Sequence, residues 1–169
     1  MLGGGFDFGE FLLTLLIGSG MIVINLGIQV WAVSWVLRVF EGAADEAPRA
    51  FSLRHMTWVL SVMMMFLFAG HILQFTTWAL LFTVLNDPNI PNFGVAFYHS
   101  VVNFTSLGYG DLVMSEEWRL LGALEAANGV LMFGLTAGLV LAVMNNALQD
   151  NQLVRKRLRH GRDLNARDE

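Results

Sequence analysis

Three apolar stretches, residues 11–37, 56–85 and 120–144, constrain this chain more than any other feature. About 20 apolar residues cross the hydrocarbon core of a bilayer as a helix, and each stretch reaches that length. A soluble bundle of buried helices would need polar faces recurring at helical spacing. The first stretch offers only Thr14, Ser19, Asn25, Gln29 and Ser34, with no charge at all. The chain is 55% hydrophobic and 14% charged, where a soluble domain carries about a quarter charged residues. These features predict an all-α membrane protein with three transmembrane helices.

The ten Lys and Arg residues are strongly partitioned. Arg38, Arg49 and Arg54 fall in the first loop, and Arg155, Lys156, Arg157, Arg159, Arg162 and Arg167 fall in the tail. Only Arg119 lies between the second and third spans. The positive-inside rule then predicts a cytoplasmic first loop and C-terminus, and three spans put the N-terminus outside the cell membrane. The first stretch is expected to be retained rather than cleaved as a signal peptide. It has no basic leader, it is preceded by Asp7 and Glu10, and it is too long for a signal core. The absence of cysteine excludes disulfides and thiolate metal sites.

The segment between the second and third spans has its own pattern. Asn86-Asp87-Pro88-Asn89-Ile90-Pro91-Asn92 stops the second span, and an apolar run over 93–104 follows. At about 1.5 Å per residue that run is too short to cross the membrane. A half-length helix followed by glycine-punctuated backbone reads as a re-entrant loop, tolerated at membrane depth only where protein or water covers it. An outer loop with an interfacial helix is the alternative on spacing alone.

The run ends in Thr105-Ser106-Leu107-Gly108-Tyr109-Gly110-Asp111. This resembles the signature of the potassium channel family, Thr-Thr-Val-Gly-Tyr-Gly-Asp, and the likeness extends over residues 56–144. The resemblance implies a re-entrant pore helix and selectivity-filter loop in a tetrameric pore. It also implies that K+ is held by backbone carbonyls of Ser106, Leu107, Gly108 and Tyr109, with the Ser106 hydroxyl as an innermost ring. Carbonyls that all face one axis need alternating backbone handedness, which Gly108 and Gly110, two apart, supply without a Cβ penalty. Thr105, Gly110, Asp111, Tyr98 and His99 are expected to support the filter. Tyr98 and His99 stand where many relatives carry a Trp pair, and His99 is placed to bond Tyr109 or approach Asp111. Leu107, bulkier than the family Val, is expected to pack behind the filter. In the last span, Gly129 and Gly134 resemble hinge or packing glycines, and Val130, Phe133 and Ala137 are expected to face the central cavity.

Several polar residues lie within the spans. Glu125 is a candidate for a pH or gating role, or for structural hydrogen bonding to a pore-helix partner. His71 and Gln74, one turn apart, and likewise Asn128 and Asn145, are expected to bond between helices. The basic tail is topogenic and a candidate surface for anionic lipid. No span repeats Arg or Lys at every third residue as a voltage sensor does. No enzyme, metal-binding or nucleic-acid motif is present. The expected division is an N-terminal helix and loop over 1–55, a pore domain over 56–148 and a tail over 149–169. Within the pore domain fall an outer helix (56–85), a pore helix (93–104), a filter (105–111) and an inner helix (119–148). One filter copy per chain implies a homotetramer. The expected activity is passive potassium transport. The alternatives are a weakly selective cation channel and a non-conducting scaffold or regulatory subunit.

Overall fold

Within hydrocarbon every backbone N–H and C=O must be bonded inside its own segment, so apolar stretches of this length become helices. The computed structural model describes residues 8–44 and 53–165, and these are all-α. Four helices follow one another: α1 (Phe8–Ala44), α2 (Leu53–Leu85), the short α3 (Phe93–Phe104) and α4 (Arg119–Asn165). Three segments are long and apolar enough to cross a membrane, Phe8–Arg38, Met56–Leu85 and Arg119–Asn146. The chain is therefore a multi-pass membrane protein with a half-length helix between its last two spans.

Helix boundaries differ from expectation, and α2 begins at Leu53 rather than at 56. Helix α1 continues to Ala44, into the first loop, and α4 continues past 148 to Asn165. The α4 extension is rich in residues that lose little entropy in a helix (Leu, Gln, Arg), the α1 extension ends in Glu41, Ala43 and Ala44 despite Gly42, and neither contains proline. Asp7, Arg49 and Arg167 lie outside the described residues.

Helix α1 packs against α2 and α4, and α3 wedges between α2 and α4. The buried stripe of α1 is Thr14, Gly18, Met21, Asn25, Gln29, Ala32 and Val36, spaced three or four residues apart as one helical face requires. Small residues let the helices approach. A side chain on Gly18 would press on Leu124, and a Cβ on Gly70 would come 3.2 Å from that of Ala32.

The polar residues of that stripe meet a ring of hydrogen bonds across three helices. Gln29 Nε2 donates to Thr136 Oγ1 (2.9 Å), which lies 3.1 Å from His71 Nε2. His71 Nδ1 lies 2.9 Å from Gln74 Oε1, and Gln74 Nε2 donates back to Gln29 Oε1 (3.1 Å) and to the Asn25 carbonyl (3.1 Å). Gln74 Oε1 can only accept, so His71 Nδ1 carries the proton and His71 Nε2 accepts from Thr136. The circuit closes with each group in one role. All four side chains are buried. His71 and Gln74 thus bond between helices. Asn128 does not: it is fully buried, yet neither of its side-chain polar atoms has a partner among the described residues. The polar groups that α3 offers this face of α4, Ser100 and Asn103, are bonded to Glu125 instead.

Candidate ion-conduction site

The short helix is held at both ends before the glycine-rich loop begins. After α2 the chain turns through Asn86 at φ 52°, and Asp87 then joins the two sides of the loop. Asp87 Oδ1 accepts from the Asn89 N–H (2.8 Å), while Oδ2 accepts from the N–H (2.9 Å) and hydroxyl (2.6 Å) of Ser115. Asn89 Nδ2 donates to the Val113 carbonyl (3.0 Å). The segment before α3 is thereby bonded to the segment after the glycines. Burial alone would raise the Asp87 pKa. The bonds from Ser115 and Asn89, with the nearby His99, outweigh burial and hold it below the ordinary carboxylate range. Asn92 caps α3, its Oδ1 accepting from the Val95 N–H at 3.0 Å.

At its other end α3 stops in a Schellman arrangement. The Ser106 N–H donates to the Asn103 carbonyl (2.8 Å) and the Leu107 N–H to the Val102 carbonyl (3.0 Å). This motif places the residue after the cap in the left-handed region, and Ser106 sits there at φ 57°. Gly108 (φ 54°) and Gly110 (φ 74°) follow in the same region, whereas Leu107 and Tyr109 between them do not. Backbone handedness therefore alternates over five residues, and a serine takes the first left-handed position.

Supporting contacts flank this loop. Thr105 Oγ1 donates back to the Val101 carbonyl (2.7 Å), and the Tyr98 hydroxyl donates to Asp111 Oδ2 (2.7 Å). That bond raises the pKa of the Tyr98 hydroxyl above its ordinary range. His99 bonds to Asn103 (Nε2 to Nδ2, 2.9 Å) and lines one recess with Leu112. The expected bond from His99 to Tyr109 is absent within the chain, because Tyr109 points outward and is 68% exposed. The charges of Asp87 and Asp111 do lie near His99. Burial nevertheless dominates and lowers the His99 pKa. Leu107, expected behind the loop, is instead 54% exposed.

Helix α4 runs behind α3. Its buried face carries Leu121, Glu125, Asn128, Gly129, Met132 and Thr136. A side chain on Gly129 would collide with the Phe104 carbonyl, so this glycine permits the closest approach of α4 to the end of α3. Val130, Phe133, Gly134 and Ala137 lie on the exposed face of α4, with open space around Gly134. Glu125 is fully buried and meets Ser100 and Asn103 of α3. Ser100, Asn103, the Asp87–Ser115 clasp and the ring through Gln29 and Thr136 were not singled out by sequence reasoning. The sign of those within helices was polar residues punctuating apolar runs, whereas Asp87 and Ser115 lie in loop sequence and carried no such sign.

Residues 61–146, just over half the chain, match the Ion_trans_2 family, described as ion channel; α1 lies outside the matched segment. No solved structure matches the chain. The match spans the outer helix, the short helix, the glycine-rich loop and the membrane part of α4, the elements assembled above. The chain belongs to the Ion_trans_2 family of ion channels.

Proposed function

We infer that four copies of this chain surround a potassium-selective pore, in which the carbonyls of Ser106, Leu107, Gly108 and Tyr109 replace the water shell of the ion. The observation that carries this reading is the alternation of handedness at Ser106, Gly108 and Gly110. Alternation turns successive carbonyls toward the same side, and a single chain contributes only one wall of such a lining. The exposure of residues 105–110 and of Val130 and Ala137 supports a shared central axis; Phe133 lies on the same face, partly covered by His71 and Phe104. The C-terminal end of α3, with its partial negative charge, favours a cation at the inner end of the loop. The first loop and C-terminus are cytoplasmic and the N-terminus extracellular, from the distribution of Lys and Arg. The basic tail meets anionic lipid at the inner leaflet.

Purified protein in vesicles tests this directly. Potassium should permeate well and sodium poorly, and barium should block. Gly108→Ala puts a Cβ on a left-handed residue at about 1–2 kcal/mol per chain. It should assemble but lose selectivity or conductance. Equal passage of sodium and potassium would replace this reading by a weakly selective cation pore. Passage of neither would leave a non-conducting subunit.

A further inference from the structure

Glu125 lies in the second turn of α4 with no exposure to solvent. Its Oε1 is 2.5 Å from Ser100 Oγ, and the same Ser100 Oγ is 2.9 Å from the Phe75 carbonyl oxygen of α2. A serine hydroxyl carries one hydrogen. If Glu125 were a carboxylate, both neighbours of Ser100 would be acceptors competing for it, and one close oxygen pair would have no proton between its members. With a hydrogen on Glu125 the count closes: Glu125 donates to Ser100, and Ser100 donates to Phe75. Glu125 Oε2 accepts from Asn103 Nδ2 (3.4 Å), whose other hydrogen goes to His99 Nε2 (2.9 Å).

A second observation agrees. The groups that bond Glu125, Ser100 and Asn103, are both neutral, and His99 reaches it only through Asn103. A buried carboxylate requires a paired cation or several donors to offset its desolvation. A carboxylic acid requires one acceptor and one donor, which are what the site supplies. Gly122 leaves room for this arrangement, since a Cβ there would come 3.0 Å from Asn103 Nδ2.

We propose that Glu125 is a neutral carboxylic acid whose hydrogen bonds position the pore helix against the inner helix. Its bonds run one way through Ser100 to α2 and the other way through Asn103 to His99, which lines one recess with Leu112, the residue after Asp111. Glu125 is thus a positioning residue rather than an ion ligand. The consequence for conduction rests on the reading of Ser106 to Tyr109 as the filter, whereas the protonation state does not.

Infrared difference spectroscopy of the detergent-purified protein, parent against Glu125→Gln, tests the first point at neutral pH. A protonated-carboxyl C=O band should be present in the parent, absent from the variant, and shifted in Ser100→Ala. Glutamine can donate to Ser100 and accept from Asn103, so Glu125→Gln should keep potassium flux within about twofold of the parent. Glu125→Leu leaves Ser100 and Asn103 without their partner, and flux or selectivity should fall about tenfold or more. Absence of the protonated band overturns the proposal. So does a Glu125→Gln protein as impaired as Glu125→Leu, since that would make the titration of the acid, and not its donor bond, the essential property. If no protein conducts potassium, the filter reading fails, and the infrared band still decides the state of Glu125.

Discussion

The carbonyl oxygen of Phe104, the last residue of the pore helix, occupies the space where a side chain on Gly129 of the inner helix would begin. Backbone cannot yield there as a flexible side chain could, so Gly129→Ala must push α3 and α4 apart. Overpacking of this kind costs about 1–3 kcal/mol, and thermal unfolding in detergent should show it. Gly134→Ala meets open space in the chain. It should leave unfolding unchanged or raise it slightly, because Ala favours a helix over Gly by about 1 kcal/mol. If Gly134→Ala alters channel opening without altering unfolding, its backbone freedom is used in gating.

The hydrogen-bonded ring gives α1 a structural task in the pore. Gln29→Leu removes the donor to Thr136 and the acceptor for Gln74. The expected loss of stability is about 0.6–2 kcal/mol, the range for polar contacts between membrane helices. Gln29→Leu combined with Thr136→Val should cost less than the sum of the two single changes. Additive costs in that double-mutant cycle would mean that the ring has no cooperative value.

Acidification should act through His99. Burial sets its pKa below the ordinary histidine value of 6.5 despite the nearby Asp87 and Asp111. Between the two values the unfolded chain binds more protons, so stability is full above 6.5 and falls as the pH drops through that value toward the folded pKa. Protonation also removes the Nε2 lone pair that accepts from Asn103, and Asn103 in turn bonds Glu125. Arg119 lines the same recess as His99. Unfolding and conductance measured against pH should therefore change on the acid side of 6.5, and His99→Gln should flatten that change. An unchanged response in the variant would reduce His99 to packing.

A separate acid limb belongs to Asp87. Its folded pKa is held below the ordinary 3.8, so its contribution is present above that value and lost as the pH falls through the folded one. Asp87→Ala releases three bonds at once, to Asn89 and twice to Ser115. It should lower stability by about 1–3 kcal/mol and remove this limb from the pH profile. Persistence of the limb in Asp87→Ala would assign it to another carboxylate.

At the outer end of the loop, Tyr98→Phe deletes the only hydroxyl that bonds Asp111 among the described residues. The fold should be retained, because Tyr98 is partly exposed and its ring remains. The loop should become more mobile, measured as faster decline of current during sustained flux. Tyr98→Phe currents that decline no faster than the parent would show that this bond does not hold the loop.

The three spans, the half-length helix and the position of the glycine-rich loop were legible in the sequence alone. They depend on local quantities: apolar length against bilayer thickness, the Pro and Asn stop after Leu85, and the two-residue spacing of Gly108 and Gly110. Even the left-handed Ser106 follows locally, from the helix end that precedes it. For Glu125 the short helix was legible as the partner element, but the individual partner residues of the buried polar side chains were not. Gln29 and Thr136 are separated by 107 positions, and Ser100 and Glu125 by 25. Such pairs exist only once the helices have chosen which faces to bury. The same packing decided that Gly129 meets backbone while Gly134 meets open space, although both are glycines of one helix. Composition and spacing assign a residue to a helix and a depth. Which atom it touches depends on the rotation and separation of the helices, and these are set by the summed packing of all four.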